Sequence, residues 1–217
     1  MKLNNVPESL PPARSTYRHG DLRRALLDAG IELARDGGPS AVVLREATRR
    51  VGVVPNAAYR HFASRHDLLL AVRAAAPSEA AKAMERELAV LPCDQPPAGF
   101  ARAQVRAIGT AYLRFAQAQP GLFRTAFVVS EDAQGDVGPD GAGASGMNPF
   151  ELLGAAVDRL VDAGLLDPAR RPGAEYLAWS AVHGLALLII DGPLRGVDAT
   201  ATHALGQRLI DMVERGL

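Results

Sequence analysis

Apolar residues recur at helical spacing along most of this chain. From Asp21 they fall at Leu22, Ala25, Leu26, Ala29 and Leu33, one stripe of an amphipathic helix that Asp21 can cap and Gly37-Gly38 stops. Ala47 and Val51 lie four apart, as do Ala58 and Phe62, so two short helices follow, each with an inward face. Ser64 is placed to cap a fourth helix that opens with Leu68, Leu69 and Val72 and continues to about Leu88. Pro77 interrupts it. An interior proline removes a hydrogen bond and clashes one turn back, at about 3 kcal/mol, so a kink or break is expected between residues 73 and 77. Pro92-Cys93-Asp94-Gln95-Pro96-Pro97 reads as a loop.

Farther on, a helix is expected from about Gly99 to Gln119, carrying Val105, Ile108, Tyr112 and Phe115. Pro120-Gly121 forces a turn, and Leu122 to Val129 forms a short helix with Phe123 and Phe127. Another runs from Asn148 to Gly164 through Phe150, Leu153, Val157, Leu160 and Val161. Pro172 opens the next, through Tyr176, Leu177, Trp179, Val182, Leu185 and Ile189. Its C-terminal half is apolar nearly all round and must be buried on more than one side; Asp191-Gly192-Pro193 ends it. The last helix, Thr200 to Arg215, lines up Leu205, Leu209, Met212 and Val213. No stretch alternates as a strand would. The expected fold is all-α.

Two segments lack this periodicity. Residues 1–16 hold Pro7, Pro11 and Pro12 and read as a flexible arm. Residues 130–148, rich in Gly, Asp and Ser, read as a mobile loop; Asp132, Asp136 and Asp140 lack the alternating ligands and closing Glu of a calcium loop. The expected division is an arm (1–16), a first helical domain (17–66) and a larger one (67–217).

The stretch Leu44 to Phe62 carries the most specific chemistry. Gly52 falls where the first short helix must stop, and Pro55 where the second can start. With Ala58 and Phe62 turned inward, Asn56, Tyr59, Arg60 and His61 face outward. Two short helices at a steep angle, with donors and an aromatic on the second one's outer face, describe a DNA-reading helix-turn-helix. Charge agrees. The whole chain is neutral, but residues 1–66 hold eleven basic against six acidic residues, a balance of +5, leaving −5 on the remainder. A basic end on an acidic body suits docking on phosphate. A single cysteine, Cys93, rules out an internal disulfide and fits a reducing, cytoplasmic setting. The N-terminus has no apolar run of the signal-peptide type, and the longest oily piece, Leu185 to Ile190, is far too short for a membrane span.

Gly52-Val53, Tyr59-Arg60-His61-Phe62 and Ser64-Arg65-His66-Asp67-Leu68 resemble the N-terminal signature of the tetracycline-repressor (TetR) family. Arg18-His19-Gly20-Asp21-Leu22-Arg23 is similar to a common opening of the first helix in one branch, so the resemblance covers residues 17–70. Trp179-Ser180-Ala181-Val182-His183-Gly184-Leu185-Ala186 resembles the Trp/His-Gly helix of one group of C-terminal domains in that family. The resemblance implies a sequence-specific transcriptional regulator, a repressor by default, that binds a palindromic double-stranded operator as a homodimer and answers to a small-molecule effector. No cofactor or metal is implied.

The candidate DNA contacts are Arg18, Pro55, Asn56, Ala57, Tyr59, Arg60, His61 and Arg65. Arg18, Arg65 and His61 suit phosphates, and Tyr59 a phosphate or a thymine methyl; Asn56 and Arg60 carry the donors that base edges need. There are departures from the family pattern. Ala47-Thr48 stands where Ile-Ala is usual, Val54 replaces a polar helix cap, and Val43 occupies a place where Thr often contacts phosphate.

Tyr112, Phe115, Phe123, Phe127, Phe150, Tyr176 and Trp179 gather most of the aromatics into the second domain, raw material for an apolar effector cavity or for plain core. His183 is either the polar group of that cavity or a buried histidine bonded to a backbone carbonyl. Effector binding would act through the fourth helix, changing the spacing of two reading helices. The last two helices, with small residues such as Ala181 and Gly184, suit packing against a twin copy; the alternative is internal core. Two rival functions fit less well. An enzyme would need more than Ser180, His183 and Asp191, which lack a strained elbow or oxyanion loop. A nonspecific architectural DNA-binding protein would favour a strong overall positive charge, which this chain lacks.

Overall fold

The computed structural model describes residues 21–127 and 141–217. The arm of residues 1–16, Arg18, and the Asp132, Asp136 and Asp140 spacing lie outside the described residues.

Ten α-helices account for the described chain, with no strand among the described residues: α1 (Leu22–Gly37), α2 (Leu44–Val51), α3 (Pro55–Ala58), α4 (Arg65–Ala75), α5 (Pro77–Ala89), α6 (Pro97–Ala118), α7 (Pro120–Phe127), α8 (Pro149–Asp162), α9 (Ala174–Ile190) and α10 (Ala199–Gly216). Five of them open on proline, at Pro55, Pro77, Pro97, Pro120 and Pro149. A first-turn residue has no use for its N–H, and the fixed φ of proline already suits the helix. Side chains cap α4 and α10 and reinforce the start of α8. Ser64 accepts the Asp67 N–H, Asp198 the Ala201 N–H, and Asn148 forms a reciprocal box with Glu151. Asp21 does not cap α1 with its carboxylate; its backbone carbonyl accepts the Ala25 N–H at 3.0 Å instead.

At Pro77 the chain divides into α4 and α5. Ala76 keeps right-handed angles (φ −58°, ψ −35°), so the path stays helical while the hydrogen-bond ladder is interrupted by a residue with no N–H to give. Two 3-10 turns, Pro39–Ala41 and Pro168–Arg170, left no trace in the hydrophobic pattern because three residues establish no period. The second displaces the start of α9 from the expected Pro172 to Ala174.

α1 and α2 pack together and α3 closes against both, around Leu26, Leu33, Ala47, Ala58 and Phe62. In the larger part, α6 is central, with α5, α8, α9 and α10 around it. Arg106 of α6 pins α10 by pairing with Asp211 and Glu214 and donating to Gln207 at 3.1 Å. The loop entering α8 is strapped to α5, where the Glu85 carboxylate accepts both the Ala144 and Ser145 N–H groups and the Ser145 hydroxyl. α7 folds back onto α1, α4 and the first 3-10 turn. One continuous apolar core joins all of these.

Candidate functional site

The expected reading module is built on small buried residues. Ala47, Thr48 and Ala58 are sealed, which lets α3 approach α2 closely. Thr48, the departure noted above, satisfies its buried hydroxyl by donating to the Arg45 carbonyl at 2.7 Å. Gly52 ends α2 at φ 77°, ψ 30°, the left-handed conformation that costs a side-chain-bearing residue about 1–2 kcal/mol. Its N–H returns to the Thr48 carbonyl at 2.9 Å. The turn then delivers α3 with Phe62 beneath it, covered by the Arg23 guanidinium at 5.3 Å from the ring centre.

What remains outside is a polar ledge. Pro55, Asn56, Tyr59, Arg60 and His61 are exposed, Tyr59 at 57%, and Ala57 is half-buried between them and the core. Val54, which precedes α3, is 69% exposed and makes no side-chain cap. Arg65 is not held in reserve for a phosphate alone. Its Nε donates to the Val42 carbonyl and one Nη to the Pro39 carbonyl, both at 2.8 Å, tying the start of α4 to the segment before α2.

The second candidate set is brought together as a chain of rings. Tyr112, Phe123 and Phe127 meet with centroids 5.1–5.5 Å apart, and Phe115 joins at Phe123. Phe150 contacts Tyr176 and Trp179 at the outer end, where Tyr176 is 59% exposed. His183 sits between the two groups, stacked on Phe123 at 5.6 Å and beside Trp179 at 5.3 Å. Among the described residues it bonds no backbone carbonyl, one of the two roles expected for it. Its Nδ1 lies 2.8 Å from the Tyr112 hydroxyl, because α9 turns this face toward α6, and that hydroxyl also accepts the Trp179 Nε1–H at 3.2 Å. Burial holds the His183 imidazole below its usual pKa and pushes the Tyr112 phenol up, so both are neutral near pH 7.

The two sets meet through α7, a connection that sequence reasoning missed. α7 carries Phe123 and Phe127 into the aromatic cluster while its first turn lies against the end of α1. Beside that contact, Arg35 of α1 donates to the Gln119 side chain at 2.8 Å and lies 3.6 Å from Glu79 of α5. Pro120-Gly121 had signalled only a turn; the glycine's second use is this close approach. The residues of the rival catalytic grouping are committed elsewhere. Ser180 donates to the Leu177 carbonyl, Asp191 takes both ends of the Arg124 guanidinium, and His183 faces Tyr112.

Comparison with known proteins agrees with this architecture. Residues 26–72 match the family model of bacterial regulatory proteins of the tetR family, and residues 105–213 match that of the tetracyclin repressor-like C-terminal domain. No curated protein matches the sequence. A solved structure of a protein with unknown function from Rhodococcus sp. RHA1 is 26% identical, covers 94% of this chain and 99% of its own, and superposes with a TM-score of 0.72. The TetR family transcriptional regulator PfmR from Thermus thermophilus (19% identity, 88% of this chain, 98% of its own, TM-score 0.54) shares the fold. So does the transcriptional regulator FadR from Bacillus subtilis in complex with stearoyl-CoA (10%, 89%, 98%, TM-score 0.64). With a reading module at one end, a helical C-terminal domain at the other and both family models matched, the chain belongs to the tetracycline-repressor family and is a DNA-binding transcriptional regulator, not an enzyme.

Proposed function

We propose that this regulator is a repressor, that it binds a palindromic operator as a homodimer, and that a small molecule entering the C-terminal domain releases it. The observation that carries this reading is α7, which holds Phe123 and Phe127 of the aromatic cluster at one end and abuts α1 of the reading module at the other. A ligand that displaces those rings has a direct mechanical route to the module, beside the route through α4 and α5. FadR, which shares the fold, is crystallised with stearoyl-CoA, in keeping with a ligand-responsive domain.

The module spans residues 17–66 and the effector and dimerisation domain residues 67–217. Asn56 and Arg60 read base edges; Tyr59, His61 and the remaining donors of Arg65 meet phosphates, joined by Arg18. One helix as short as α3 covers few base pairs, and a two-fold pair reading sites about 34–36 Å apart supplies the rest. The face proposed for pairing has Leu177, Gly184 and Leu188 in one stripe of α9, and Leu205 and Met212 in one stripe of α10; the four large residues among them are exposed in the single chain.

Fluorescence anisotropy with DNA from upstream of the protein's own gene, against scrambled DNA across a salt series, tests the reading. Tight, selective binding that weakens with salt is expected. Equal weak binding to both, together with an empty selection from a random DNA pool, would refute it. A monomeric mass in solution would refute the pairing.

A further inference from the structure

We propose that the effector is a neutral, largely apolar molecule carrying a hydrogen-bond-accepting oxygen, of ketone, ester or ether type, and that the Nε2–H of His183 donates to that oxygen. The inference rests on the reading of the aromatic cluster as the effector site.

It follows from an accounting of donors. The indole of Trp179 can only donate, and it donates to the Tyr112 oxygen at 3.2 Å. Tyr112 is 1% exposed, so its own hydroxyl proton needs an acceptor inside the protein. The only partner in reach of that proton among the described residues is His183 Nδ1, at 2.8 Å. An imidazole that accepts at Nδ1 and is neutral must carry its proton on Nε2. Of the three polar hydrogens in this cluster, two are therefore spent in a directed chain from Trp179 through Tyr112 to His183. The third, on Nε2, has no partner among the described residues.

Charge completes the picture. Arg124, next to Phe123 in the chain, is already paired with Asp191, and Arg171 with Asp158 and Glu175. Burial keeps both His183 and Tyr112 uncharged. A carboxylate or ammonium among these rings would lose its water without gaining a counter-charge, whereas a ketone loses little and gains one directed bond. The rings of Phe127 and Trp179, half-buried on either side of His183, supply the apolar contact.

Three shape-matched probes test this on the full chain by calorimetry: 2-acetylnaphthalene, 2-ethylnaphthalene and 2-naphthoate. Trp179 is the sole tryptophan, so its emission reports whether a probe has reached the cluster. The ketone is expected to bind about tenfold tighter than the hydrocarbon, the worth of one hydrogen bond, and the anion weakest of the three. In His183→Phe the ketone's advantage disappears while the hydrocarbon still binds. Nitrogen NMR of the wild-type imidazole reads the tautomer directly and does not depend on any variant folding; a proton on Nδ1 would overturn the proposal. Equal binding of ketone and hydrocarbon at Trp179, or tightest binding of the anion, would overturn it while leaving the site in place. If no probe binds or perturbs Trp179, the site reading itself fails and the inference falls with it.

Discussion

Gly121 lies so close to the last turn of α1 that a Cβ built on it would stand 2.5 Å from the carbonyl oxygen of Ala34. The Arg35 carbonyl at 2.8 Å and the Gly38 nitrogen at 2.9 Å complete the contact. All three are backbone atoms and have no rotamer by which to retreat. Gly121→Ala therefore pushes α7 away from α1. Overpacking of this kind costs about 1–3 kcal/mol. The expected result is a lower unfolding midpoint in urea together with altered operator affinity. Gly99→Ala, inside α6 with nothing nearer than 3.8 Å, is the control and should change neither for the worse.

Tyr112→Phe keeps the ring and its packing but removes the oxygen that serves two partners. Trp179 loses its acceptor and His183 its donor. Leaving such groups unpaired costs about 1–3 kcal/mol. A measured loss well under that range would mean that water replaces the hydroxyl and that the cluster is wetter than its burial implies. The emission of Trp179 should shift in the same variant.

Stability should fall on mild acidification, and the sign follows from His183. Burial lowers its pKa in the folded state, so the unfolded chain binds a proton more readily below pH 6.5. The contribution is full above that pH and is lost as pH drops toward the folded value. Glu85 acts lower down. Burial opposes its ionisation, but the Ser145 and Ala144 hydrogen bonds and Lys82 outweigh that, holding the carboxyl below 4.5 and its stabilisation in place until then. Thermal midpoints between pH 7 and 5 should decline in the wild type and flatten in His183→Gln. An equal decline in both would assign the loss to another group.

The start of α3 lacks a capping side chain. Val54 already has extended angles (φ −71°, ψ 144°), so Val54→Ser needs no change of backbone to bring a hydroxyl to the first turn, where only the Val54 carbonyl now accepts the Ala57 N–H. A gain of about 1 kcal/mol is expected, read as a higher urea midpoint. A neutral or negative result would show that the valine packs usefully in the folded protein despite its exposure.

Asn56→Ala separates reading from holding. Loss of a base-edge contact should weaken operator binding by about 1–3 kcal/mol and relax preference at one base pair, with the salt dependence unchanged. If the salt slope falls instead, Asn56 contacts the backbone of the duplex.

The helices were legible because burial imposes a period. Leu26, Leu33, Ala47, Ala58, Phe62, Leu68 and Val72 stand at the inward positions of their stripes and are all buried. The outward face of α3 was legible for the same reason. What stayed hidden joins residues far apart in the chain, where no period exists to be read. Arg35 and Gln119 are 84 residues apart, and Tyr112 and His183 are 71 apart. Arg65 was legible as a cation at a helix start; nothing local announced that carbonyls 23 and 26 residues earlier would occupy it.

That last contact has a mechanical consequence. Arg65 rivets α4 to the segment entering α2, while Leu68 and Val72 bury the same helix against the core beneath α1. A body fastened at both ends turns as a lever and cannot fray. In the proposed release, a swing of α4 would leave the reading face its shape and change only its position. On the proposed reading of a dimer released by a ligand, induction is a change of gauge between two intact heads, and each half-operator, tested alone, should be gripped as firmly after the effector binds as before.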